Sequence, residues 1–194
     1  MTSIYPLVMK KPKPIYVENL FSTAELKSLV RVLKRAEATS YEYNQLGRLH
    51  VENVPIPRPI VKKLTSLVND PTLTMSDRPL CVTYSSKYGQ PNLNPHFDGD
   101  FTDYIIDVQL SSNTNWSLGV DLNVYDMADN SGVFFHPNKN VHWRPRKEFK
   151  DGEYVQVIFF RFFKSEIRSD YSYLPGHPDD DAFKEVRALR DSLG

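Results

Sequence analysis

Two hydrophobic periodicities divide the chain near residue 80. Upstream, Leu26, Leu29, Val30 and Leu33 recur at helical spacing behind Ser22 and Glu25, whose three-residue separation makes a capping box, and this predicts a helix over 22–36. A second helix is predicted over 58–68: Pro59 falls in the tolerated first turn, Ile60, Val61, Leu64, Leu67 and Val68 form its apolar stripe, and Asn69-Asp70-Pro71 ends it. Between the two, 41–53 is polar with scattered aromatics, and its periodicity fits a strand pair and a long loop equally. Downstream of 80 the pattern changes to short runs rich in Val, Ile, Tyr and Phe at 80–85, 104–111, 118–125, 132–135 and 153–163, broken by Gly, Asn, Asp and Pro. Strands this closely spaced, with no helical pattern between them, predict an α+β jelly roll: an antiparallel sandwich or barrel with the N-terminal helices packed on one sheet. The tail 178–193 places Asp179, Asp180 and Asp181 before Phe183, Val186, Leu189 and Leu193, which predicts a closing amphipathic helix with acids at its positive end.

Composition narrows the class. The 194 residues, 40% hydrophobic and 12% aromatic, suffice for one sizeable core, so a single domain is expected, with a helical support at 17–79, a core at 80–163 and an extension at 164–194. Lys+Arg and Asp+Glu balance at 24 each, which removes the electrostatic footprint of non-specific nucleic-acid binding; the basic run Arg144-Pro145-Arg146-Lys147 reads as a solvated loop. No stretch approaches the roughly 18 apolar residues of a membrane helix. Met1 to Pro14 lacks the apolar run of a secretory signal, and the single Cys81 has no partner for an internal disulfide, so a reducing, cytoplasmic setting is expected.

Five histidines raise the question of metal chemistry. His96 and Asp98 lie two apart, so in extended backbone both side chains point the same way and can reach one ion. His142, just beyond the strand predicted at 132–135, is placed for a sheet to return it beside that pair. Two histidines and a carboxylate that leave coordination positions open form the facial arrangement of non-haem Fe(II) oxygenases. An H-x-D pair by itself is more often a solvated turn.

The surroundings add to this. Leu80-Cys81-Val82-Thr83-Tyr84, then Tyr88-Gly89, then His96-Phe97-Asp98 resembles the metal-site approach in the prolyl-4-hydroxylase-like branch of the 2-oxoglutarate/Fe(II)-dependent dioxygenases. Gly132-Val133-Phe134-Phe135-His136-Pro137, His142, and Lys150-Asp151-Gly152-Glu153-Tyr154 leading into an apolar strand are similar to that family's distal-histidine segment and final core strand. The stretch Tyr16-Val17-Glu18-Asn19-Leu20-Phe21 before the capped helix is similar to the start of many such domains. The resemblance covers roughly 17–163. It implies a double-stranded β-helix, Fe(II) held by His96, Asp98 and His142 as the catalytic metal ligands, 2-oxoglutarate and O2 as cosubstrates, and hydroxylation of a peptidyl (proline included) or small-molecule substrate coupled to decarboxylation of 2-oxoglutarate to succinate and CO2.

One residue departs from the family pattern. Where a Lys or Arg usually follows the glycine opening the final strand and pairs with the far carboxylate of 2-oxoglutarate, this chain has Glu153. A dianion in a partly dry barrel needs a fixed cation, and Arg161, at an even offset on the same predicted strand, is the best substitute, ahead of Arg144 and Arg146. Tyr84 is a second candidate contact to the cosubstrate. His136 rivals His142 as distal ligand, Asp100 and Asp103 are substitute carboxylates, His50 and His177 read as surface residues, and Trp116 and Trp143, with Asn113 and Asn115, are placed at the cavity mouth or, for the tryptophans, in the core. Two further readings follow from Glu153: a jelly-roll binding protein without the cosubstrate site, and a cupin-like metal enzyme that does not use 2-oxoglutarate.

Overall fold

The computed structural model describes residues 13–36, 40–77, 79–98, 102–164 and 181–193. The first strand, β1 (Ile15–Val17), leads into α1 (Thr23–Ala36). There Ser22 and Glu25 satisfy each other's backbone: the Ser22 N–H donates to Glu25 Oε2 at 2.7 Å, and the Glu25 N–H to Ser22 Oγ at 3.3 Å. Lys63 Nζ, 3.0 Å from Glu25 Oε2, ties this helix to α2 (Arg58–Val68). That second helix stops where Asn69 turns left-handed at φ 50° and donates its N–H to the Thr65 carbonyl.

The segment whose periodicity is ambiguous folds as a hairpin, β2 (Ser40–Tyr43) and β3 (Arg48–Val51). Its turn ends at Gly47, φ +59°, where a side-chain carbon would lie 2.4 Å from the backbone of Gln90 and Pro91. Then follow β4 (Leu73–Met75), β5 (Leu80–Ser85), β6 (Tyr104–Ser112), β7 (Leu118–Val120), β8 (Asn123–Tyr125), β9 (Ser131–Phe135), β10 (His142–Trp143), β11 (Tyr154–Lys164) and α3 (Asp181–Ser192). The single strand predicted at 118–125 is instead the β7–β8 hairpin. Its apolar alternation runs unbroken through the turn, but Asp121 adopts φ 52° and its carboxylate accepts from the Val141 N–H at 3.0 Å and Asn140 Nδ2 at 2.7 Å. Three short strands, β1, β4 and β10, are too brief for any periodicity to register.

Eight strands form one antiparallel sheet in the order β1-β9-β6-β11-β5-β3-β2, with β4 continuing the β5 edge of β11; β10-β7-β8 form a second. The larger sheet is covered on both faces. Ile106, Val108, Phe134, Ile158, Phe160 and Phe162 pack outward under Leu29 and Leu33 of α1 and Ile60 and Leu64 of α2. The alternate positions Ile105, Val133 and Phe135 face Leu118 and Val120 of the smaller sheet, and Val82, Tyr84, Val155 and Val157 meet Trp116 and Phe149. This is the predicted α+β jelly roll, and double-sided burial explains why β11 reads as an almost continuous apolar run.

Candidate metal centre

The geometry of the candidate metal site begins in the backbone. The His96 N–H donates to the His142 carbonyl at 3.1 Å and the His142 N–H to the His96 carbonyl at 3.0 Å, while the Arg144 N–H reaches the Leu93 carbonyl at 3.0 Å. The segment before His96 thus lies as a further extended chain along β10. Residues paired by two such bonds project side chains to one face, so the two imidazoles meet, with ring centroids 4.1 Å apart. Asp98, two residues on and held by its N–H to the Pro137 carbonyl at 3.0 Å, joins them from the same side. Phe97 between them points the other way and packs edge-on against Phe183 of α3, at 5.2 Å between centroids. Through β10 and the residue before it the alternation repeats: His142 faces the cavity, and Val141 and Trp143 face α3. Trp143 lies so close over β7 that any side chain at Gly119 would collide with its indole at 2.2 Å.

Asp98 Oδ1 stands 3.6 Å from His96 Nε2 and 3.4 Å from His142 Nε2, and one donor atom from each of the three residues falls within a 4.8 Å group. Metal bonds of about 2.0–2.2 Å place ligands at adjacent octahedral positions about 3 Å apart, so the donor set fits one ion with small adjustments. The far ring nitrogens are held by carbonyls: His96 Nδ1 by Asn94 O at 2.7 Å and His142 Nδ1 by Asn140 O at 3.4 Å. A carbonyl only accepts, so each Nδ1 carries the proton and each Nε2 lone pair is left for a metal. Burial pushes His96 down to about 4, keeping it neutral. Burial also opposes ionisation of Asp98 and His142, but their mutual attraction outweighs it, holding Asp98 below and His142 above their ordinary values.

The three residues open on a cavity of about 290 Å³, walled by Leu80, Leu93, Ile105, Phe135 and Phe159 and carrying Arg48, Tyr84, Thr102, Asp107 and Arg161 as its other polar groups. Arg161, the sequence candidate, lies on the inward face of β11 in this cavity. Tyr84, 1% exposed, lies there too, and its hydroxyl accepts from Arg48 Nη1 at 3.2 Å. Glu153 does not line the cavity: its carboxylate caps the preceding turn, accepting from the Lys150 N–H and Thr114 Oγ1, both at 2.9 Å. The reversed charge therefore places no acid beside the metal residues.

Several sequence readings change. Arg144 is not in a solvated loop but is 1% exposed, stacked 4.9 Å from the Trp116 ring, with Nη1 donating to the Trp116 carbonyl and Nη2 4.0 Å from Asp107 Oδ2; it does not line the cavity. Arg146 pairs with Asp191 at 3.2 Å outside it. His50 is buried, not at the surface. Trp116 and Trp143 are core residues, Asn113 bonds the start of β11, and Asp103 accepts from the Lys164 N–H. His136 bonds the Asp103 carbonyl, away from the metal group. Asp100 and His177 lie outside the described residues. Arg48 and Asp107 escaped sequence reasoning. Asp107 alone carried a signal, as a charged residue in the middle of an apolar strand; burial pushes its carboxyl up, and its Oδ1 has no hydrogen-bond partner among the described residues.

No family model matches the sequence, and no curated protein does. Solved structures match the fold. A 2OG-Fe(II) oxygenase family oxidoreductase from Burkholderia pseudomallei aligns over 77% of this chain and 83% of its own, with a TM-score of 0.56 and 9% identity. The viral collagen prolyl hydroxylase of Paramecium Bursaria Chlorella virus-1 aligns over 84% and 96%, with a TM-score of 0.54 and 12% identity. HygX from Streptomyces hygroscopicus, solved with nickel and 2-oxoglutarate bound, aligns over 76% and 82%, with a TM-score of 0.54 and 10% identity. The chain thus has the fold of the 2-oxoglutarate/Fe(II) oxygenases, including that of prolyl hydroxylases, in agreement with its motifs.

Proposed function

We propose that this protein is an Fe(II)- and 2-oxoglutarate-dependent dioxygenase that hydroxylates a peptidyl or small-molecule substrate. The observation that carries the reading is the convergence of His96, Asp98 and His142 within 4.8 Å, facing a cavity that also holds arginines, on this fold. His96 offers a neutral Nε2 donor and Asp98 an ionised oxygen, while His142, paired with Asp98, would donate through Nε2 after releasing its proton on a metal's arrival. Tyr84 and a cavity arginine, Arg161 of β11 or Arg48 of β3, hold 2-oxoglutarate. When bound, iron and 2-oxoglutarate supply O2-dependent oxidation, with 2-oxoglutarate giving succinate and CO2 as the substrate gains its hydroxyl. Leu80, Ile105, Phe135 and Phe159 exclude water around the reacting groups.

A binding protein lacking the cosubstrate site drew its support from Glu153, which the structure accounts for as a turn cap. A reducing, cytoplasmic setting remains part of the proposal; Cys81 is buried, its thiol pushed up to about 12 by desolvation, and no described helix is long and apolar enough to cross a membrane. Anaerobic titration with Fe(II) and then 2-oxoglutarate tests the reading. A visible charge-transfer band that requires both additions and is lost in His142→Ala is expected. Tight iron binding with no band on adding 2-oxoglutarate would instead favour the cupin-like alternative.

A further inference from the structure

The net neutrality of the chain conceals a segregated charge. Residues 1–68 carry 11 Lys and Arg against 5 Asp and Glu, and the remaining residues carry the opposite excess. Much of the positive excess lies on two helices, whose single acid, Glu25, is already covered by Lys63 at 3.0 Å. Their other six cations, Lys27, Arg31, Lys34 and Arg35 on α1 and Arg58 and Lys62 on α2, are all exposed, and none forms an ion pair among the described residues. Lys27, Arg31 and Lys34 follow helical spacing along the outer stripe of α1, and Arg58 and Lys62 stand four apart on α2. Both helices pack on the outer face of the larger sheet and are joined by the Glu25–Lys63 pair, so their exposed sides form one surface. Each also exposes an aliphatic side chain among the cations, Val30 at 44% and Leu67 at 47%, and neither helix contains an aromatic residue.

Six unpaired cations on one surface call for a polyanion, and the rest of the surface distinguishes which. Single-stranded nucleic acid is held by stacking its bases on aromatic side chains, which these helices lack. A duplex presents phosphates, against which Val30 and Leu67 gain nothing. An anionic lipid surface uses both features: its headgroups attract the lysines and arginines, and the aliphatic tips enter the boundary with the acyl chains. We propose that the exposed side of α1 and α2 is a docking surface for an anionic membrane, on which the protein lies without crossing it. The candidate metal residues open on the inward face of the same sheet, so the docking surface is separate from them and the inference stands apart from the dioxygenase reading. It agrees with the cytoplasmic setting proposed above, because the cytoplasmic leaflet is the anionic one.

Co-sedimentation of the full chain with phosphatidylcholine vesicles, with and without about one-third phosphatidylserine, tests this. Binding is expected only to the vesicles that contain phosphatidylserine, and at least about tenfold weaker at about 1 M salt, where screening reaches only about 3 Å, than at about 0.05 M. Each cation near such a surface contributes about fivefold in affinity, so the combined Lys27→Glu, Arg31→Glu and Lys34→Glu variant should lose at least about 30-fold. A control with the same change in net charge elsewhere, Lys87→Glu, Lys139→Glu and Lys150→Glu, should bind as wild type does. Val30→Ser with Leu67→Ser should weaken binding a few-fold while its salt dependence stays the same. If the glutamate variant does not fold, as judged by its melting curve, the same three positions changed to Gln replace it and should bind more weakly in the same direction. No binding to phosphatidylserine vesicles at low salt overturns the proposal, as does an equal loss in the control variant, which would make net charge rather than this surface responsible. Tighter binding to a DNA duplex than to the vesicles at equal phosphate concentration, lost in the α1 variant, overturns it in favour of a nucleic-acid surface.

Discussion

His96 and His142 share one hydrogen-bonded backbone pair, so each imidazole is positioned by the other's main chain. Removing a ring leaves that backbone intact. His142→Ala and Asp98→Ala are therefore expected to remain folded while losing Fe(II) or Mn(II) affinity by at least about 100-fold, the upper end of what even ligand-supporting residues cost; calorimetry with circular dichroism separates the two effects. His50 makes a different prediction. Buried in β3, with Nδ1 2.8 Å from the Tyr41 hydroxyl, its imidazole is pushed by desolvation down to about 4 from an ordinary 6.5. The unfolded chain thus binds the extra proton first as pH falls. Stability is full above pH 6.5 and declines between 6.5 and about 4, by up to about 1.4 kcal/mol per pH unit. Urea unfolding across that window should show the slope in wild type and a shallower one in His50→Gln.

At the scale of elements, the β2–β3 hairpin and α3 serve the site from outside the central strands. Gly47 lets the hairpin close against the Gly89–Pro91 backbone at positive φ and so sets where Arg48 enters the cavity. Gly47→Ala meets both strain and collision and is expected to cost about 2–3 kcal/mol and to weaken 2-oxoglutarate binding without touching the metal residues; melting curves and Mn(II) titration in parallel check this. Behind the metal strands, Phe183 and Val186 of α3 pack on Val141 and Trp143, and Arg190 donates to the Arg144 carbonyl at 3.0 Å and to Asn92 at 2.7 Å. Phe183→Ala opens a cavity directly behind Phe97, with an expected loss of about 3–4 kcal/mol and a looser metal site. The pattern of apolar positions revealed α1, α2, α3 and the long strands because each presents a face wide enough for a period to repeat. It did not reveal the two-residue β10 or the break within 118–125, where the left-handed Asp121 and its bonds to Asn140 and Val141 set the turn.

For the whole molecule, metal is expected to act as a stabiliser, since the candidate ligands come from two separate segments, His96 and Asp98 on one and His142 on the other, and are assembled only in the folded state. At a free metal concentration 100 times the dissociation constant, binding contributes about 2.7 kcal/mol. A rise in melting temperature of about 5–10 °C follows for a chain of this size, reversed by a chelator and absent in His142→Ala. The sequence by itself determined the fold class and brought forward His96, Asp98 and His142 as a candidate donor set, because burial periodicity and the spacing of His96 and Asp98 are local properties that a linear string records, while His142 was picked out by the resemblance of its surroundings. Only the tertiary structure decided that Glu153 caps a turn outside the cavity, that Arg144 is buried against Trp116, and that Arg48 stands beside Tyr84. Each of these is settled by strand order and register: β3 lies next to β5 across a long stretch of chain, and no periodicity within either strand encodes which neighbour it will pair with.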